Sequence, residues 1–164
     1  MRVGERAGPH LDNAVRLARV TTAAAPTLRA MTEQLLLTTR PMQRAFPGRA
    51  DQIAPARDFT KRVLGPCRVT DEAVLLVSEL ATNALEHTST ADGGQFRVMI
   101  CRNATWLLIG VSDNGSAKTP EPGPLDPESE TGRGLGLVEL IADRWGYCGG
   151  EHGRTVWFTL GTGR

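Results

Sequence analysis

The chain has 164 residues and 17.7 kDa, enough for one domain with a short extension, and 40% of it is hydrophobic, so a packed core is within reach. A formal charge of +1 provides no overall attraction to nucleic acid or to an anionic membrane, and any charged partner must be met locally. No run approaches the roughly 18 apolar residues of a membrane span, and the basic start carries no continuous apolar stretch of the signal-peptide kind, which points to the cytoplasm. Cys67, Cys101 and Cys148 are too far apart for a paired zinc motif and read as buried free thiols.

Residues 1–39 are rich in Ala, Thr and Arg, with weak helical spacing around 27–37, and read as a partly ordered N-terminal extension. The segment "PMQRAF" (41–46) suits an edge strand, with Pro47-Gly48 as its turn. From Asp51 onward Ile53, Ala56, Phe59, Thr60 and Val63 recur at helical spacing until Gly65-Pro66 stops them. Thr70 or Asp71 is placed to cap a second helix, which runs to about His87 with Val74, Val77, Leu80, Ala81, Ala84 and Leu85 as its buried stripe. "QFRVMICR" and "TWLLIGVS" follow as a β-hairpin turning at Asn103-Ala104, the second strand apolar enough to be central. The stretch 114–133, with Pro120, Pro122, Pro124, Pro127 and several acids, has no apolar period and reads as a long lid loop. "LGLVELIADRW" resumes helical spacing, with Leu137, Val138, Ile141, Ala142 and Trp145 on one face. "RWGYCGG" and "RTVWFTL" close the chain as two strands around a turn at Gly149-Gly150. Strands joined mainly as hairpins, with the helices grouped, predict an α+β sandwich: a mixed, mostly antiparallel sheet with helices on one face.

Within "SELATNALEH" (78–87) a polar line crosses the apolar helix, because Glu79 and Asn83 stand one turn apart on one face. A neutral carboxamide oxygen suits Mg²⁺, and a carboxylate one turn away can activate a hydroxyl or water; a solvated helix edge would show the same pattern. Asp113-Asn114-Gly115, after an apolar strand, is either an ordinary turn or a carboxylate placed to accept from an adenine amine, with Gly115 letting main chain approach the base. "GRGLGL" (132–137) places alternate glycines at a helix start, where main-chain N–H groups can meet phosphate oxygens. The upstream strand of a Rossmann motif and the Gly-Lys-Ser/Thr of a P-loop are both missing.

Taken in order, these segments resemble the GHKL ATP-binding fold: "SELATNALEH" is similar to its N box, "VSDNG" to its first glycine box, "GRGLGLVELIADRWG" to its second and "GRTVWFTL" to its final strand. "RAFPGRADQIAPARDF", "VSELATNALEH" and "GRGLGLVELIADRWGY" further resemble bacterial regulators related to anti-sigma-factor serine-protein kinases, of the stand-alone actinobacterial type. That resemblance implies an ATP-binding domain over 40–164 in which Glu79 is the catalytic carboxylate, Asn83 the Mg²⁺ ligand and Asp113, with Gly115, the adenine reader. It also implies that Gly132, Gly134, Leu135 and Gly136 contact phosphates, that Arg133 reaches the β- or γ-phosphate, and that Thr155 lies near the adenine. His87, one turn beyond Asn83, faces the phosphates or packs the helix end. The implied activity is Mg-ATP-dependent phosphorylation of a Ser or Thr on an antagonist protein, with a non-catalytic, nucleotide-gated binding module as the alternative. The implied partners are a sigma factor or an anti-sigma antagonist, with a homodimer through the 41–46 edge and no direct nucleic-acid or membrane partner. The long acidic lid, with Glu121, Asp126, Glu128 and Glu130, departs from the short lids of this type.

Overall fold

The structure, a computed structural model, describes residues 40–86, 90, 93–115, 120, 121 and 133–163, with the backbone alone at Arg133. The chain divides into two compact units, Met1–Arg40 and Pro41–Arg164; the second is described below, and the expected extension lies outside the described residues.

Strand β1 (Met42–Pro47) leads through a short 3-10 turn (Ala50–Gln52) into helix α1 (Ile53–Leu64). Ala56, Phe59, Thr60 and Leu64 face inward at helical spacing, and the buried Thr60 hydroxyl donates to the Ala56 carbonyl at 2.9 Å. Lys61 and Arg62 favour the carbonyl-rich last turn, and the Gly65 N–H donates to Lys61 O as the helix ends. Helix α2 (Thr70–Glu86) follows, with Asp71 and Glu72 in its first turn. The expected cap is corrected here: the Thr70 hydroxyl donates backwards to Gly65 O at 2.9 Å, tying the α1–α2 connection together, while Ala73 N donates to Val69 O. Ala73, Val74, Leu76, Val77, Leu80, Ala81 and Ala84 are buried, a wider stripe than the sequence suggested, because α2 packs against both α1 and α3 (Arg133–Ile141).

Strands β2 (Gln95–Arg102) and β3 (Trp106–Asp113) form the expected hairpin, and β4 (Arg144–Gly150) pairs with β5 (Gly153–Gly161). The sheet order is β1-β2-β3-β5-β4, which puts β1 at an edge and β3 at the centre. All four pairings among the described residues are antiparallel, the limiting case of the mostly antiparallel sheet expected. Two boundaries differ from the sequence reading. Helix α3 ends at Ile141, and Trp145 belongs to β4, because Asp143 N already donates to Thr159 O at 3.0 Å and draws the chain onto the sheet. The last hairpin turns at Glu151-His152, with Gly150 and Gly153 paired across it.

Alternation along the strands sends Phe46, Phe96, Val98, Ile100, Leu107, Ile109, Val111, Val156, Phe158 and Leu160 into one core shared with the helices. Phe46 stacks on Phe96 with centroids 5.3 Å apart and meets Phe59 edge-on at 6.1 Å, which joins β1, β2 and α1. Burying each such side chain stabilises the fold by ~1.5–3 kcal/mol. The reverse face is buried too, at Met99, Cys101, Leu108, Cys148, Trp157 and Thr159. Cys101 and Cys148 are buried free thiols as expected, Cys67 is half-buried, and burial pushes the Cys101 thiol up to about 11. Among the described residues no helix is long and apolar enough to cross a membrane.

Candidate functional site

Strand β3 ends at Asp113, opposite the start of β5 at Arg154 and on the same side of the sheet as the ends of β1 and β4 and the start of β2. Helix α2 arrives at this same end. Thr90 is only four positions beyond Glu86, a span of at most ~14 Å, and its hydroxyl accepts from Asn114 N at 3.0 Å. The C-terminal turn of the "SELATNALEH" helix is thereby held close to the turn that follows Asp113.

The start of α3 closes the group. A Cβ built on Gly134 would stand 2.8 Å from Asn83 Nδ2 and 3.0 Å from its Oδ1, so the Gly134 Cα lies directly against the carboxamide and no larger residue fits without moving it. The "N box" and the second glycine motif, fifty positions apart, are therefore in contact. Asn83 and Glu79 are both half-buried on α2, one turn apart. Helix α3 begins at Arg133, so Gly134 and Gly136 lie in its first turn, both buried. The Leu135 side chain is part of the core, which leaves only its main chain for a ligand. His87 and Gly132, most of the 114–133 lid, and the Arg133 side chain lie outside the described residues.

Asp113 is half-buried, and its Oδ1 accepts the Gly115 N–H at 2.7 Å, the Asx turn that an Asp-Asn-Gly sequence favours. Burial pushes the carboxyl above its ordinary range, while the Gly115 N–H and the charge of Arg154 pull it back. Gly115 itself has φ +85°, and a Cβ there would collide with the main chain of Gly150, Glu151 and Gly153. The start of the lid is thus seated against the β4–β5 turn at Gly115, a position that only glycine occupies without strain.

Val156, Phe158 and Leu160 point to the helices, so alternation puts Thr155 on the reverse face, where its hydroxyl shares a hydrogen bond of 2.7 Å with Ser112. The residue beside Asp113 on the helix side is Arg154, its direct cross-strand partner, buried to 7% exposure. Neither Arg154 nor the fully buried Thr90, whose carbonyl also accepts Gly94 N at 3.0 Å, was singled out in the sequence. A basic residue opening "RTVWFTL" is the one signal that could have marked the first.

The residues present fit a nucleotide with its magnesium. Asn83 offers a neutral hard oxygen beside a helix start whose main chain is unobstructed by a side chain at Gly134. Among the described residues no three His, Cys, Asp or Glu gather to hold a metal by themselves, so phosphate and water would complete the ion's shell.

Residues 46–160 match the family described as "Histidine kinase-like ATPase domain". The chain belongs to that family. The GHKL superfamily assignment and the fold drawn from the sequence stand with it, and a histidine kinase-like ATPase domain has a nucleotide as its ligand. No curated protein matches the sequence. Among solved structures, the histidine kinase domain of the blue-light activated histidine kinase from Erythrobacter litoralis EL346 is similar at 20% identity, with a TM-score of 0.40, over 92% of this chain and 87% of that one.

Proposed function

We propose that this histidine kinase-like ATPase domain is an ATP-dependent protein kinase that phosphorylates a Ser or Thr on an antagonist protein and thereby controls a sigma factor. The observation that carries the reading is the contact of Gly134 with the Asn83 amide at the end of the fold where Asp113 and Gly115 also lie. Asp113 accepts a hydrogen bond from the adenine amine, and the Gly134 and Gly136 main chain binds phosphate oxygens. Asn83 holds Mg²⁺, whose charge offsets that of the phosphates when it is bound. Glu79 takes the proton from the acceptor hydroxyl as that oxygen bonds the γ-phosphorus of the substrate ATP and ADP leaves. In a titration with ATP and Mg²⁺, Asp113→Ala is expected to abolish measurable binding. In a transfer assay with labelled ATP and the antagonist, Glu79→Ala is expected to stop transfer while binding persists. Equal transfer by wild type and Glu79→Ala overturns the catalytic assignment.

A second reading, a non-catalytic module gated by nucleotide, draws support from the lid's two roots. Gly115 is seated on the β4–β5 turn and Gly134, just beyond the 114–133 segment, on Asn83; with the site as proposed, lid order would report its occupancy. Equal partner affinity with ATP, ADP and no nucleotide rules this out. The edge strand β1 is the surface on which a second copy would pair.

A further inference from the structure

We infer that Arg154 is a positioning residue for base recognition: standing opposite Asp113 on β5, its charge favours the carboxylate form that accepts from the nucleobase, and so sets the preference for adenine. The inference rests on the reading of Asp113 as the base reader.

Three observations converge on it. The register pairs Asp113 directly with Arg154, and the inward-facing Val111 and Val156 place both side chains on the helix side of the sheet. Arg154 is almost fully buried, a position that a guanidinium takes only with compensation, and its charge acts on the Asp113 carboxyl. On the reverse face, one residue away on each strand, the Ser112–Thr155 hydrogen bond of 2.7 Å pins the two strands together, so the pair cannot slide.

The consequence for recognition follows from the carboxylate's two oxygens. Oδ1 is occupied by the Gly115 N–H, and among the described residues no hydrogen bond reaches Oδ2. A base amine needs Oδ2 as an acceptor. Burial works against this by favouring the protonated carboxyl, which would present a donor to the amine. A cation opposite it, on the neighbouring strand, opposes that preference without occupying the base's side of the site.

The test compares Mg-ATP with Mg-ITP, whose base carries a carbonyl in place of the amine, by titration of the full chain. The wild type should prefer ATP by ~10-fold or more. Arg154→Met should narrow that ratio to within ~3-fold, and Arg154→Lys, which keeps the charge, should restore most of it. Arg154→Gln keeps a polar group without the charge and should lose discrimination as Met does; it serves if Met prevents folding, with thermal melting as the check. An unchanged ratio in Met and Gln overturns the inference, as does a Lys variant that loses as much as Met. Failure of the wild type to bind either nucleotide would instead sink the base-reader assignment, and the role of Arg154 with it.

Discussion

The two ends of the sheet are built differently. At the end where β2 turns into β3, polar groups serve nearby main chain: Asn103 Oδ1 accepts from Thr105 N at 2.9 Å and Trp106 N at 2.7 Å. The Thr162 hydroxyl donates to Ala104 O at 3.0 Å, and Gly161 N donates to the Asp143 carboxylate at 2.6 Å. At the opposite end stand a half-buried carboxylate, a buried guanidinium and two tightly packed glycines. The first end spends its polar groups on closing turns. The second gathers the glycines and the buried charges on which the proposed nucleotide site rests.

Substitutions at each end put this contrast at risk. The largest effect is expected from Gly134→Val, which forces a branched side chain into the Asn83 amide. Overpacking of ~1–3 kcal/mol corresponds to a loss of ATP affinity of ~10- to 100-fold, measured by titration. Wild-type affinity in a folded Gly134→Val protein would remove the glycine turn from the site. At the other end, Asn103→Ala deletes two acceptor contacts and should lower unfolding free energy by ~1–2 kcal/mol in urea while leaving ATP affinity unchanged. A matching loss of affinity would dissolve the division of labour.

The smallest effect sharpens the comparison through pH. Burial raises the Asp113 carboxyl above its ordinary value of 3.8, so the native state favours the neutral form. That stabilisation is fully present below 3.8 and is lost as pH rises through the raised native value. Nucleotide-free Asp113→Asn should therefore melt slightly above wild type at neutral pH, and the difference should shrink as pH falls through that window. A lower melting temperature at pH 7 would mean that Arg154 outweighs burial.

Most of this fold could be read from the chain because apolar period and turn chemistry agree. Ile53, Ala56 and Phe59 mark α1, Gly65 ends it, and Asn103 marks the β2–β3 turn. The glycine motif and the Glu79/Asn83 pair were visible for the same reason, since each is a local pattern. One error has its cause in a contact distant along the sequence. Trp145 extends the spacing of Leu137, Val138 and Ile141, and only the Asp143–Thr159 bond shows that the chain has left the helix. The face that Thr155 takes was not legible because both faces of β5 are buried; "VWF" has no polar residue to set its alternation, and a slip of one residue exchanges the sides. Arg154 was hidden by that same ambiguity, and Thr90 by lying in a polar stretch with no period of its own.

The position of β5 has a consequence for how the protein comes into being. This last strand in chain order sits between β3 and β4 instead of at an edge. A nascent chain that has emerged only as far as β4 leaves that strand with no neighbour and β3 paired on one side alone, with β2, and its Asp113 lacks the wall that Arg154 supplies. Maturation of the sheet and birth of the proposed nucleotide site are then one event, so a ribosome-bound fragment stopping short of residue 153 should not retain ATP.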